Sequence, residues 1–131
     1  MILIDTSVWI LIFKDKSGTE AERVQIGLDG REVVLTRFNQ LELLQGCRDE
    51  KEWLLLSSHL EGQTYVEATV SIWEAAARIY FDLRRQGLTI RSPIDCCIAQ
   101  LALENNLLLL HNDKDFTVIN QIRPLNEQLW R

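Results

Sequence analysis

The sequence predicts an α/β fold, a three-layer α/β/α sandwich around a central, mostly parallel sheet. Three observations predict it. Short apolar runs such as Met1–Ile4 and Leu107–Leu110 read as strands buried on both faces, which is the pattern of a parallel sheet. Longer stretches of helical character separate these runs. Strand–helix alternation along 131 residues suits one layered unit, so 1–131 is expected to be a single domain.

The elements follow in order. Met1–Ile4 stops at Asp5, and Val8–Lys14 reads as a short helix. Thr19–Leu28 reads as a second helix, and Gly30 turns the chain into a strand over Glu32–Thr36, with Val33, Val34 and Leu35. Phe38–Cys47 has helical character, with Gly46 near its end. Lys51–Leu60 is a further helix closed by Gly62, and Thr64–Val66 is a weak third strand. Thr69–Gln86 is a long helix ended by Gly87. Ser92-Pro93-Ile94-Asp95 is a helix start: serine at the N-cap, proline in the first turn, an acid three residues on. That helix runs to about Glu104. Leu107–Leu110 supplies the fourth strand. Ile119–Pro124 is expected as a short fifth, at an edge because of its proline.

Lys and Arg total 14 against 19 Asp and Glu, a net charge of -5. This balance argues against passive nucleic-acid binding through a general basic field. Nucleic acid stays open where a bound cation supplies positive charge locally. Cys47, Cys96 and Cys97 are odd in number and two are adjacent, so no disulfide framework can be read. A reducing, cytoplasmic setting is expected. His59 and His111 show no zinc-ligand spacing with the cysteines. No basic-then-apolar leader opens the chain, and its apolar runs are far too short to cross a bilayer, so no membrane role is expected.

The acids carry the chemistry. Asp5 follows the first strand directly and serves equally well as an N-cap. Asp95 shares a helical face with Ile98, Ala99 and Ala102, at spacings of three, four and seven, while Gln100 and Glu104 lie elsewhere. It is therefore expected to point inward, a costly place for a carboxylate unless a helix N-terminus or a cation compensates it. Glu42 borders the apolar stripe of its helix, just after the second strand. Asp113 and Asp115 follow the fourth strand, in a stretch that also reads as a polar loop. Sites in open parallel sheets form outside the carboxyl ends of the strands. Acids at several strand ends would converge there. Two bare carboxylates about 4 Å apart repel by about 1 kcal/mol in water and about 4 kcal/mol at an effective dielectric of 20. A bridging cation removes that penalty. Oxygen donors without His or Cys point to Mg²⁺ or Mn²⁺. The natural chemistry of such an ion is phosphodiester hydrolysis, by lowering the pKa of a water and neutralising charge on the phosphate.

The motifs themselves are familiar. Ile4-Asp5-Thr6-Ser7-Val8-Trp9-Ile10 resembles the opening of PIN-domain toxins of the VapC type. Leu41-Glu42-Leu43-Leu44-Gln45-Gly46 resembles their second acidic motif, and Arg91-Ser92-Pro93-Ile94-Asp95-Cys96-Cys97-Ile98-Ala99 their third. Leu110-His111-Asn112-Asp113-Lys114-Asp115-Phe116 resembles their last. Order and spacing agree along almost the whole chain. The resemblance implies a PIN-like fold and Mg²⁺- or Mn²⁺-dependent cleavage of RNA. It implies Asp5, Glu42, Asp95 and Asp113 as the acidic constellation, with Asp115 as a fifth ligand or supporting acid. Thr6 or Ser7 would position Asp5 or a metal-held water by hydrogen bonding. It further implies a homodimer and a type II toxin–antitoxin pair, in which a small VapB-like antitoxin blocks the site. Trp9, Trp53, Trp73 and Trp130 offer aromatic anchors for such contacts, or ordinary core packing. An arginine of the antitoxin would suit the acidic pocket. Lys14, Arg37, Arg91 and Lys114 flank the four motifs and would form a basic rim for RNA. Arg84-Arg85 suits a helix C-terminus in any case.

Two other readings are open. A PIN fold that has lost catalysis would act as a scaffold, against which the four intact acids count. A phosphoaspartate protein would need a second acid beside or two places beyond Asp5, where Thr6 and Ser7 stand.

Overall fold

The computed structural model describes residues 1–131. The apolar run after Met1 forms β1 (Ile2–Ile4), and the chain then crosses through α1 (Thr6–Lys14) and α2 (Thr19–Leu28) to β2 (Val33–Thr36). Next come α3 (Arg37–Gln45), α4 (Glu50–Glu61) and β3 (Thr64–Val66). The return runs through α5 (Ile72–Arg85) and α6 (Pro93–Glu104) to β4 (Leu108–His111). α7 (Lys114–Ile119) and β5 (Glu127–Leu129) complete the chain.

The five strands form one sheet in the order β3-β2-β1-β4-β5, with every neighbouring pair parallel. β1 is central, and its three residues are all buried. Their side chains alternate between faces, as strand geometry requires. Leu3 joins Val34 and Leu109 in a core packed against Ile79, Leu83, Ile98 and Phe116. Ile2 and Ile4 join Leu110 on the opposite face, against Val8 and Val24. Under α3 and α4, Leu35, Leu43 and Leu60 form a smaller cluster. The result is the expected α/β/α sandwich. Fully burying one such Leu or Ile is worth about 1.5–3 kcal/mol.

The helices are cut where local chemistry dictates. Ser92 caps α6, accepting the Ile94 N–H at 3.2 Å, with Pro93 in the first turn. Gly62 ends α4 as its C-cap, and Gly87 follows α5 at φ +74. α5 buries Ile72, Ala76, Ile79 and Leu83 at helical spacing, and begins at Ile72 rather than Thr69.

The C-terminal end corrects the sequence reading. Ile119–Pro124 is not a strand. Ile119 ends α7 and is fully buried, and Ile122 packs against the same core from the following turn. The fifth strand is Glu127–Leu129, paired with Leu109–His111 at the sheet edge. The stretch read as a loop after β4 holds α7, with Asp113 as its N-cap. No helix is long and apolar enough to cross a membrane.

Candidate metal centre

Strand order reverses between β1 and β4: the chain builds outward to β3 on one side, then to β5 on the other. Carboxyl ends of neighbouring strands at such a switch open a crevice. Asp5 leaves β1 and Asp113 leaves β4 at that crevice, and the Asp5 N–H donates to Leu110 O at 2.9 Å.

Asp5 caps α1. Its Oδ2 accepts from Ser7 N at 3.0 Å and from Ser7 Oγ at 2.6 Å. The same Ser7 hydroxyl accepts from Asn112 N at 2.8 Å, tying the β1 end to the β4 end. Thr6 Oγ1 donates to Glu42 Oε1 at 2.9 Å, which brings Glu42 from α3 to the crevice. Asn39, fully buried, holds this corner together. Its side-chain oxygen accepts from Thr36 N and Thr36 Oγ1, and its Nδ2 donates to Thr6 Oγ1 at 3.1 Å and Asp5 Oδ1 at 3.4 Å.

On the other side stand three acids. Asp95 from the first turn of α6, Asp113 and Asp115 each offer a ligand oxygen, all within 4.8 Å of one another. Asp95 is 6% exposed and points inward, as its helical face foretold. Asp113 Oδ1 accepts from Asp115 N at 3.0 Å. Arg91 lies across this trio: its guanidinium is 2.9 Å from Asp113 Oδ2 and 3.8 Å from Asp115 Oδ2, and its backbone N–H donates to Asp115 at 3.0 Å. The trio does not include Asp5 or Glu42, which sit beside it across the crevice and feel the Asp113 charge.

The electrostatics follow from crowding. Burial, a hydrogen bond with Asp115, and the charges of Asp113 and Asp5 push the Asp95 carboxyl up to about 9. Asp5 is raised by burial, against the lowering effect of the Ser7 hydrogen bonds. Glu42 is raised by burial, with the Thr6 hydrogen bond opposing. Arg91 is raised chiefly by its hydrogen bond to Asp113. Five carboxyls therefore share one arginine as counter-charge. Cys96 beside Asp95 is buried, which pushes its thiol up to about 12, and its sulfur is not among the atoms gathered at the trio. An all-oxygen set short of positive charge fits a hard divalent cation.

The remaining expected residues divide. Lys14 is exposed at the end of α1 and makes no ion pair; it lines a cleft of about 740 Å³ with Phe13, Glu42, Leu43, Leu56 and His59. Lys114 is exposed and unpaired at the start of α7. Arg37 is committed elsewhere, to Glu67 at 2.9 Å and over the Tyr65 ring at 3.8 Å. Arg91 faces the acids instead of solvent alone. Among the tryptophans, Trp9 and Trp130 are half-buried, while Trp53 and Trp73 are exposed on α4 and α5. Asn39 escaped the sequence reading. Its position three residues after Thr36 was the available signal, since the pair forms a capping box.

A parallel sheet with acids gathered at its switch point matches a known family: the PIN domain model covers residues 2–121, and the chain belongs to the PIN-domain family. Its relatives narrow the placement to the VapC type. Ribonuclease VapC11 of Mycobacterium tuberculosis is 33% identical over 134 aligned residues, covering 100% of both chains. VapC ribonuclease Mb1587 of Mycobacterium bovis matches equally. The structure of VapBC-1 from nontypeable Haemophilus influenzae shares 27% identity at a TM-score of 0.76, over 99% of this chain and 98% of that one. VapBC2 from Rickettsia felis, solved bound to a promoter DNA fragment, has the same fold at a TM-score of 0.80 and 17% identity, covering 100% of both.

Proposed function

We propose that this chain is a metal-dependent endoribonuclease and the toxin of a type II toxin–antitoxin pair. One observation carries the reading: carboxylates from four separate stretches of chain line the crevice at the switch point, and the one cation paired with any of them is Arg91, at Asp113 and Asp115. Asp95, Asp113 and Asp115, with Asp5 and Glu42 beside them, would hold Mg²⁺ or Mn²⁺. Such an ion supplies positive charge against a phosphate and polarises a water.

The chain's own groups prepare that chemistry. Ser7 fixes the Asp5 carboxylate, and Thr6 aims Glu42 into the crevice. Asn39 anchors both through Asp5 and Thr6. Arg91 offsets negative charge at Asp113 and is exposed enough to turn toward a phosphate. Lys14 and Lys114 are free to meet the RNA backbone. The relatives named as ribonucleases and the VapBC assemblies support RNA as substrate and a VapB-like antitoxin as partner. Exposed Trp53 and Trp73 offer surface for the antitoxin or for a homodimer. The three free cysteines suit a reducing cytoplasm, and the whole chain acts as one domain.

The test is cleavage of RNA with Mg²⁺ or Mn²⁺, against chelator and against Asp95→Asn. Cleavage is expected only in the metal-loaded wild type, with a loss of at least about 100-fold in the variant. Equal cleavage in chelator sinks the metal role, and no cleavage under any condition sinks the enzyme.

A further inference from the structure

His111 ends β4, two residues before Asp113, and is fully buried. Both ring nitrogens are engaged. Nδ1 accepts the Asp113 backbone N–H at 3.2 Å, and Nε2 lies 2.8 Å from Glu127 Oε1 on β5. A nitrogen that accepts from an amide carries no proton, so the ring proton sits on Nε2 and is donated to Glu127. The second Glu127 oxygen accepts from the Asn120 side chain at 3.4 Å, which joins the pair to the end of α7. The ring also packs on Phe116, with centroids 5.2 Å apart.

An imidazole in this position is expensive unless both nitrogens are satisfied. A leucine would pack the end of β4 without that cost. What a leucine cannot do is accept the Asp113 amide. Asp113 has its two carboxylate oxygens turned forward, one to Asp115 N–H and the other to Arg91. The ring is what holds its main chain from behind.

We propose that His111 and Glu127 form a positioning pair that fixes the backbone at Asp113 and so aims its carboxylate at Asp95 and Asp115. This rests on the nuclease reading. Glu127 orients the ring, the ring orients the amide, and the amide orients the acid. Groups that orient metal ligands from behind are commonly worth about 10- to 100-fold in metal affinity.

Two substitutions separate this role from simple packing. His111→Asn places an amide oxygen near the Nδ1 position and keeps an acceptor for Asp113. His111→Gln reaches toward Glu127 and leaves the Asp113 N–H unpaired. Both lose the ring's packing on Phe116. Mn²⁺ binding is measured by calorimetry, alongside the thermal midpoint. His111→Gln is expected to weaken Mn²⁺ binding about 10-fold or more, and His111→Asn to stay within about threefold of wild type, at similar midpoints. Glu127→Ala, at a half-buried edge position, is expected to weaken binding about 3- to 10-fold and keeps the test open should the buried substitutions unfold the chain. Equal affinities in the two His111 variants, or an unchanged affinity in Glu127→Ala, overturn the positioning pair alone. A wild type that takes up no Mn²⁺ overturns the nuclease reading and the pair together.

Discussion

Asp95 is the residue whose ionisation links the site to stability. An unfolded aspartate loses its proton near pH 4. In the folded, ion-free chain Asp95 keeps its proton up to about pH 9. Between those values the folded state binds the extra proton, so its stability falls as pH rises through the window. Asp95→Asn removes this dependence. It is expected to flatten the pH profile of the thermal midpoint measured in chelator, and to stabilise the ion-free chain at neutral pH by ~2 kcal/mol. Matching profiles for the two chains would refute the protonated Asp95. A buried carboxyl whose ionisation weakens the resting fold is a common feature of functional sites.

At the scale of elements, the corner between β2 and α3 carries more than its length suggests. Asn39 closes the capping box of α3 and simultaneously donates to residues at the start of α1. Asn39→Ala leaves Thr36 N–H and Thr36 Oγ1 without their buried acceptor and frees Asp5 and Thr6. A loss of ~2–3 kcal/mol in urea unfolding is expected, with RNA cleavage falling alongside. A loss below ~0.5 kcal/mol would mean that water replaces the amide. The elements differ in how far the sequence betrays them. β1, β2 and β4 are legible because burial on both faces leaves continuous apolar runs, and α6 because Ser92-Pro93 is an unambiguous start. β5 is not, since Glu127-Gln128-Leu129 has no apolar run: its register comes from Leu109 and from the His111–Glu127 contact. α7 is hidden because Asn112, Asp113 and Asp115 read equally as turn residues, and only the cap at Asp113 decides for a helix. The five acids were all legible by position along the chain. Which of them lie closest together was not, because Asp115 joins Asp95 and Asp113 through the turn of α7. Nor could the spacing reveal that Arg37 is paired to Glu67.

For the molecule as a whole, charge is the constraint. A net charge of -5 repels RNA at long range, and of the four cations expected at the rim only Lys14 and Lys114 stand free of ion pairs. Salt dependence of RNA binding should therefore be shallow. Single-strand contacts contribute about 0.7 to the log–log slope each, so a slope of about 1.4 is expected from two lysines. Replacing either lysine by Ala should remove about half of it. A slope unaltered in both variants would take the lysines out of the interface.

The strand order has a consequence for the newly made chain. β1 is made well before one of its two neighbours, β4, which arrives more than a hundred residues later. Until Leu108–His111 emerges and docks, the N-terminal half can offer Asp5 and Glu42 but has nothing to set against them. Pairing across such a separation is slow, because loop closure must precede its reward. The acidic crevice is thus a late product of synthesis: a nascent chain that stops short of Leu108–His111 carries Asp5, Glu42 and Asp95 without the two acids that complete their surroundings.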